Sequence, residues 1–91
     1  MVKGWRVVFT TQAMKDLRRL KEAGLSPKAK SLAGLLAVNP FQNPPPYEKL
    51  SGDLKGMYSR RINRQHRIVY TVDQETLTVK VLAMWTHYGN V

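Results

Sequence analysis

The chain has 91 residues, 43% of them hydrophobic and 23% charged, with no cysteine. That length holds one domain, 1–91, with one modest core, and the composition excludes a disordered tail, a disulfide scaffold and a segment able to span a bilayer. Fifteen Lys and Arg against six Asp and Glu give a net charge of +9, a field that attracts polyanions but names no chemistry by itself. With no cysteine and no signal-peptide stretch at the start, a cytoplasmic protein is expected, with no membrane partner.

Trp5 to Phe9 reads as a first strand, rich in aromatic and β-branched residues. Thr10 or Thr11 is placed to cap a helix running from Gln12 to about Ala23. In that helix Ala13, Leu17 and Leu20 form the apolar stripe, and Lys15, Asp16, Arg18, Arg19, Lys21 and Glu22 take the other surface. Gly24 stops it. Ser26-Pro27 then supplies a cap candidate and a helix-starting proline for a second helix, buried through Ala29, Leu32, Ala33 and Leu36 and ending near Val38. Two basic amphipathic helices joined by a short turn are expected to form a hairpin over one face of a sheet.

Pro40, Pro44, Pro45 and Pro46 make a stiff link through which helix cannot persist. Beyond the turn at Ser51-Gly52, residues Met57 to Ile62, Arg67 to Val72 and Leu77 to Met84 are successive strand candidates, and their short connections imply antiparallel neighbours. Ile68, Tyr70 and Val72 alternate with Arg67, Val69 and Thr71. Leu77, Val79, Val81 and Ala83 alternate with Thr78, Lys80 and Leu82. The fold class is therefore α+β: an N-terminal strand, a two-helix hairpin and a mainly antiparallel sheet with one face left free for polar groups.

Phosphate-loop and dinucleotide fingerprints are absent, and His66 and His87 lack the spacing and carboxylate company of a zinc site, so no cofactor or metal is expected. Ser51 and Ser59 have no nucleophile context. The sequence instead carries what RNA cleavage by side-chain acid and base groups requires: a base for the ribose 2′-hydroxyl, cations for the phosphate and an acid for the leaving 5′-oxygen. Glu48 is a candidate base, or a surface partner of Lys49 or Lys55. Arg67 is a phosphate clamp or a surface arginine, with Arg61 as its neighbour across a hairpin. Arg60 alternates to the opposite face and is not expected in the same site. His87 and Tyr88 offer an acid or base and a hydroxyl or stacking ring, or simply close the core beneath Trp85. Lys49, Lys55 and Arg64 are candidate phosphate contacts, and His66 reads as a turn residue.

The stretch from Glu48-Lys49-Leu50-Ser51-Gly52 through Gly56-Met57-Tyr58-Ser59-Arg60-Arg61-Ile62-Asn63-Arg64-Gln65-His66-Arg67-Ile68-Val69-Tyr70, with the ending His87-Tyr88, closely resembles the YoeB/Txe toxins of the RelE superfamily. The resemblance implies a RelE-like fold, akin to small microbial ribonucleases, and a toxin of a type II toxin-antitoxin pair. It further implies an mRNA interferase acting on A-site mRNA in the ribosome and held inactive by a YefM/Axe-like antitoxin. Homodimers are implied too, with DNA met only indirectly, through the antitoxin complex. Carried over residue by residue, Glu48 resembles the general base, Arg67 the phosphate-stabilising arginine, His87 and Tyr88 the C-terminal catalytic pair, Arg61 a supporting cation and Lys49 a neighbouring one. Relatives often finish at the His-Tyr pair, whereas Gly89-Asn90-Val91 follows here, an extension expected to be tolerated. The competing account is a noncatalytic protein of the same fold that binds nucleic acid or antitoxin through charge alone.

Overall fold

The computed structural model describes residues 4–85 of the chain. Its elements in chain order are β1 (Arg6–Phe9), α1 (Thr11–Glu22), α2 (Ser26–Val38), β2 (Glu48–Lys49), a 3-10 turn (Gly52–Leu54), β3 (Tyr58–Arg61), β4 (Arg67–Asp73) and β5 (Thr78–Ala83). The five strands form one sheet in the order β1-β5-β4-β3-β2. β1 lies parallel to β5, and every other pairing is antiparallel. None of the described helices is long and apolar enough to cross a membrane.

Thr10 joins two elements with one hydroxyl. It caps α1 by accepting from the Ala13 amide at 3.0 Å and donates to the Leu82 carbonyl at 2.9 Å, so the start of the helix is pinned to the end of β5. Gly24, at φ +78°, ends α1 in a left-handed turn. The Gly24 amide donates to the Lys21 carbonyl and the Leu25 amide to the Leu20 carbonyl, which also accepts from Ala23, so the last carbonyls of the helix are satisfied. Leu25, not Ser26, occupies the cap of α2 and offers no side-chain hydrogen bond; Ser26 is already helical. The hairpin expected from the sequence thus forms, with its three-residue connection, 23–25, shifted one residue toward the N-terminus.

The helices bury Ala13, Leu20, Ala29, Leu32 and Leu36 against Ile62, Ile68, Tyr70, Val79 and Val81. One charged residue of α1 crosses into this interior. Asp16, expected on the solvent side of α1, is only 3% exposed. Its carboxylate accepts from the Met84 amide at 2.9 Å and from Gln12 Nε2 at 2.8 Å, binding α1 to the chain leaving β5.

Two details of β5 also depart from the alternation pattern. Leu77 is not a strand residue but a turn residue at φ 52°, 48% exposed. An irregularity beside Val69/Tyr70 pairs Tyr70 with Val81 but Val69 with Ala83, leaving Leu82 as the extra residue. Paired residues share a face, so the bulge moves Ala83 away from the Val79–Val81 side and onto the side of Val69.

The helices pack mainly over β1 and β5. At the β3–β2 end of the sheet the proline link takes their place, its Phe41 and Tyr47 packing against Tyr58 at ring-centroid distances of 5.6 and 5.9 Å, and Tyr58 stacking on Tyr70. Arg60 is 0% exposed beneath this cover. It donates to Pro45 O at 2.6 Å, Pro40 O at 2.9 Å and Tyr70 Oη at 3.1 Å, and lies over the Tyr47 ring. Tyr70 Oη in turn donates to Pro40 O at 3.1 Å. Burial raises the Tyr70 pKa above 10.0, although the Arg60 charge opposes the shift.

Replacing Asp16 with Ala strands the Met84 amide and is expected to cost about 1–3 kcal/mol, lowering the urea midpoint at unchanged slope. Because Tyr70 holds its proton more tightly when folded, its contribution is fully present below its unfolded pKa of 10.0 and is lost as pH rises through the higher folded value. Thermal melts from pH 9 upward are expected to show this alkaline loss in the wild type and to show less of it in Tyr70→Phe.

Candidate active site

Register decides which residues meet. Glu48 on β2 pairs with Ser59 on β3, and Arg61 on β3 pairs with Arg67 on β4. Because side chains alternate along a strand, Glu48, Ser59, Arg61 and Arg67 share the sheet face opposite Arg60, Ile68 and Tyr70. Arg60 and Arg61, adjacent in sequence, therefore serve opposite sides of the sheet, as the alternation predicts.

A groove of about 590 Å³ gathers these groups. Glu48, Ser59, Arg61 and Arg67 line it together with Pro45 and Pro46 of the link, Lys28 of α2, and Ile62, Asn63 and Arg64 from the end of β3 and the turn after it. Arg67 Nη1 lies 3.4 Å from Glu48 Oε1 and 3.3 Å from Ser59 Oγ. The Arg67 side chain is 23% exposed and that of Glu48 58%. At that exposure and length the ion pair stabilises the fold by no more than about 0–1 kcal/mol. Arg61, exposed, stands directly across from Arg67, and like charges facing each other across strands are destabilising. Stability does not account for such a pair. An anion bridging two guanidinium groups would turn the repulsion into attraction, with planar donors suited to phosphate oxygens.

The turn after β3 is fixed by Asn63, whose Oδ1 accepts from the Gln65 and His66 amides at 2.8 and 2.7 Å. This places Arg64 at the rim of the groove. His66 is turned away from solvent, 8% exposed, with Nδ1 2.9 Å from Trp85 O and its ring stacked on Trp85 at 3.9 Å. It is a turn and packing residue, in keeping with the sequence reading.

Of the residues singled out from the sequence, Glu48, Arg61, Arg64 and Arg67 come together in the groove. Lys49 and Lys55 do not. Lys49 points to the other face of β2, and both lysines line a separate hollow of about 550 Å³ with Leu50, Met57 and Tyr58. A single-residue step along a strand reverses the face, so Glu48 and Lys49 could not both enter one site. His87 and Tyr88 lie outside the described residues. Ser59 reads from the sequence only as a poorly supported nucleophile; its position two residues before Arg61 is the signal that it shares Arg61's face. Lys28 carries no such signal, because its place depends on how α2 docks.

With the geometry established, comparison with known proteins identifies the group to which the chain belongs. The description "YoeB-like toxin of bacterial type II toxin-antitoxin system" matches residues 9–88. The chain belongs to that family. The Toxin YoeB of Streptomyces coelicolor is 32% identical over 76 residues, covering 81% of this chain and 90% of that protein. A solved YoeB/ParE toxin from Agrobacterium tumefaciens superimposes with a TM-score of 0.81 at 29% identity, over 91% of this chain and 99% of that one. A YoeB-YefM complex from Staphylococcus aureus matches with a TM-score of 0.76 at 32% identity, over 92% of this chain and 98% of that one. The RelE-type α+β fold expected of such a toxin is the fold observed.

Since Arg61 opposes Arg67, replacing it with Gln is expected to leave the melting temperature unchanged or slightly raised while weakening the binding of a short RNA and flattening its salt dependence by about one unit of slope. Thermal melts and fluorescence titrations at several salt concentrations check this.

Proposed function

We propose that this toxin is a ribosome-dependent mRNA endoribonuclease that cleaves in the A site by acid-base chemistry, with the 2′-hydroxyl of the message as nucleophile. The observation that supports the reading most directly is the meeting of Glu48, Arg61 and Arg67 on one sheet face in one groove. A carboxylate next to two arginines is of little use to a protein that only binds polyanions, since it repels the phosphate the arginines attract. It is useful where a proton must be removed beside a bound phosphate.

In this reading Glu48 takes the proton of the 2′-hydroxyl, and the 2′-oxygen attacks the adjacent phosphorus. Arg67, with Arg61 in support, stabilises the charge growing on the phosphate oxygens. The bond to the 5′-oxygen breaks, that oxygen receives a proton from His87, and the products are a 2′,3′-cyclic phosphate and a free 5′-hydroxyl. Tyr88 is assigned the role of a hydroxyl donor or a stacking ring for a base. Arg64 and Lys28, at the groove, contact phosphates on either side of the break. The ribosome orients the message, and because positioning carries much of the barrier reduction, free RNA is a poor substrate.

The family membership also supports a cognate antitoxin of the YefM type as the inhibitory partner, in accord with the solved Staphylococcus aureus complex. We assign the free toxin as a homodimer in the cytoplasm.

The test is to map mRNA 5′ ends on translating ribosomes exposed to wild-type toxin or to Arg67→Ala. Breaks inside A-site codons are expected with wild type and a loss of at least about a hundredfold with the variant, whose fold should persist because the ion pair it loses is half exposed. Equal cleavage by the two proteins would remove Arg67 from the mechanism. Binding to ribosomes without cleavage by wild type would favour the noncatalytic account.

A further inference from the structure

The link between α2 and β2 forms one wall of the groove and delivers the strand that carries Glu48, yet it has little regular structure of its own. Residues 39–47 include four prolines, which have no amide hydrogen to donate, and β2 is only two residues long at the edge of the sheet. Such a segment is expected to be poorly fixed. Its Phe41 and Tyr47 rings pack on Tyr58, and its backbone is held by Arg60. The Arg60 guanidinium spans two carbonyls of the proline link, those of Pro40 and Pro45, while its Nε is held by Tyr70 Oη, and the ring of Tyr47 closes over it. Pro45 lies in the groove wall, and Tyr47 immediately precedes Glu48.

We infer that Arg60 is a positioning residue for the cleavage reaction, holding the Pro45–Pro46 wall and β2 so that the Glu48 carboxylate stands against Arg67. The inference rests on the nuclease reading for its effect on rate, but its physical core, the fixing of β2 by a buried guanidinium, is independent of that reading. Arg60 touches no substrate. It works from the opposite face of the sheet, and its neighbour Arg61 faces the groove. A lysine in its place keeps the charge but presents a single ammonium in place of a planar fork, and cannot span Pro40 O, Pro45 O and Tyr70 Oη together.

The experiment compares wild type with Arg60→Lys by two readouts. In amide hydrogen exchange on the full chain, residues 48–50 are expected to exchange at least about tenfold faster in the variant, with β4 and β5 unchanged. In cleavage kinetics on mRNA-programmed ribosomes, kcat is expected to fall between about tenfold and a hundredfold, with KM within about twofold, because the arginines that bind phosphate remain in place while the base is displaced.

Wild-type exchange at 48–50, or faster exchange spread evenly over the sheet, would overturn the inference. So would local loosening with kcat unchanged. If wild type itself does not cleave, the nuclease reading fails, and the exchange data alone decide whether Arg60 holds β2. Should Arg60→Lys fail to fold, Tyr70→Phe removes one partner of the fork and keeps the ring; the same kcat-only loss is expected at about threefold to tenfold, and wild-type kinetics there would count against the assignment.

Discussion

A guanidinium buried without a carboxylate is the constraint on which the rest of this structure depends. Taking Arg60 out of water costs several kcal/mol unless its donors are met. Each of its three nitrogens donates to a neutral oxygen, two proline-link carbonyls and a tyrosine hydroxyl, with a tyrosine face above. The match is chemical as well as geometric. A proline-rich segment is short of donors and has carbonyls to spare, whereas arginine has five donors and no acceptor. Among the described residues no buried side-chain nitrogen or oxygen lacks a partner. The link therefore serves as a third piece of cover, sealing the end of the sheet that the two helices leave bare, and that same link forms a wall of the groove.

From this follows a division of labour along β3. Ser59 and Arg61 face the groove, while Tyr58 and Arg60 face the core. Two adjacent arginines with the same charge thus have opposite electrostatic fates, one immobilised in a cage of neutral oxygens and one left exposed across from Arg67. The register with β2 and β4 completes the arrangement by bringing Glu48 beside Ser59 and Arg67 beside Arg61. A slip of one residue in either pairing would replace Glu48 with Lys49, or Arg67 with Ile68, on the groove face. The aromatic cluster on the reverse side, with Tyr70 buried and Phe41, Tyr47 and Tyr58 partly so, resists that slip, since it would expose the rings further.

Much of this is legible in the sequence because it depends on local periodicity. The helices, the stop at Gly24 and the three C-terminal strands follow from apolar spacing and turn residues, and strict alternation alone is enough to separate Arg60 from Arg61. The departures each have a non-local cause. Asp16 looks like a surface residue on its helix, and only the approach of the chain after β5 gives its carboxylate a backbone amide to bind. Ala83 looks like a core-face residue until the bulge at Leu82 shifts the phase of β5. Lys49 and Lys55 belong with Glu48 by proximity in the chain and, for Lys49, by family resemblance, but not in space. β2 alternation sends Lys49 to the other face, and the turn at Gly52–Leu54 carries Lys55 to the same hollow. Lys28 escapes a sequence reading for the converse reason, its place in the groove being a product of helix docking.

The groove itself shows how a family fold can keep an unfavourable arrangement in place. Arg61 and Arg67 repel across the strands, and the Glu48–Arg67 contact is too long and too exposed to offset that repulsion by much. Their convergence is maintained from behind, by a buried face whose apolar rings and single guanidinium set the strand register and hold the edge strand down. The chemistry on one side of the sheet is thus preorganised by packing on the other. In the reaction proposed above, the free energy invested there returns when a phosphate settles between the arginines and the carboxylate has a proton to accept.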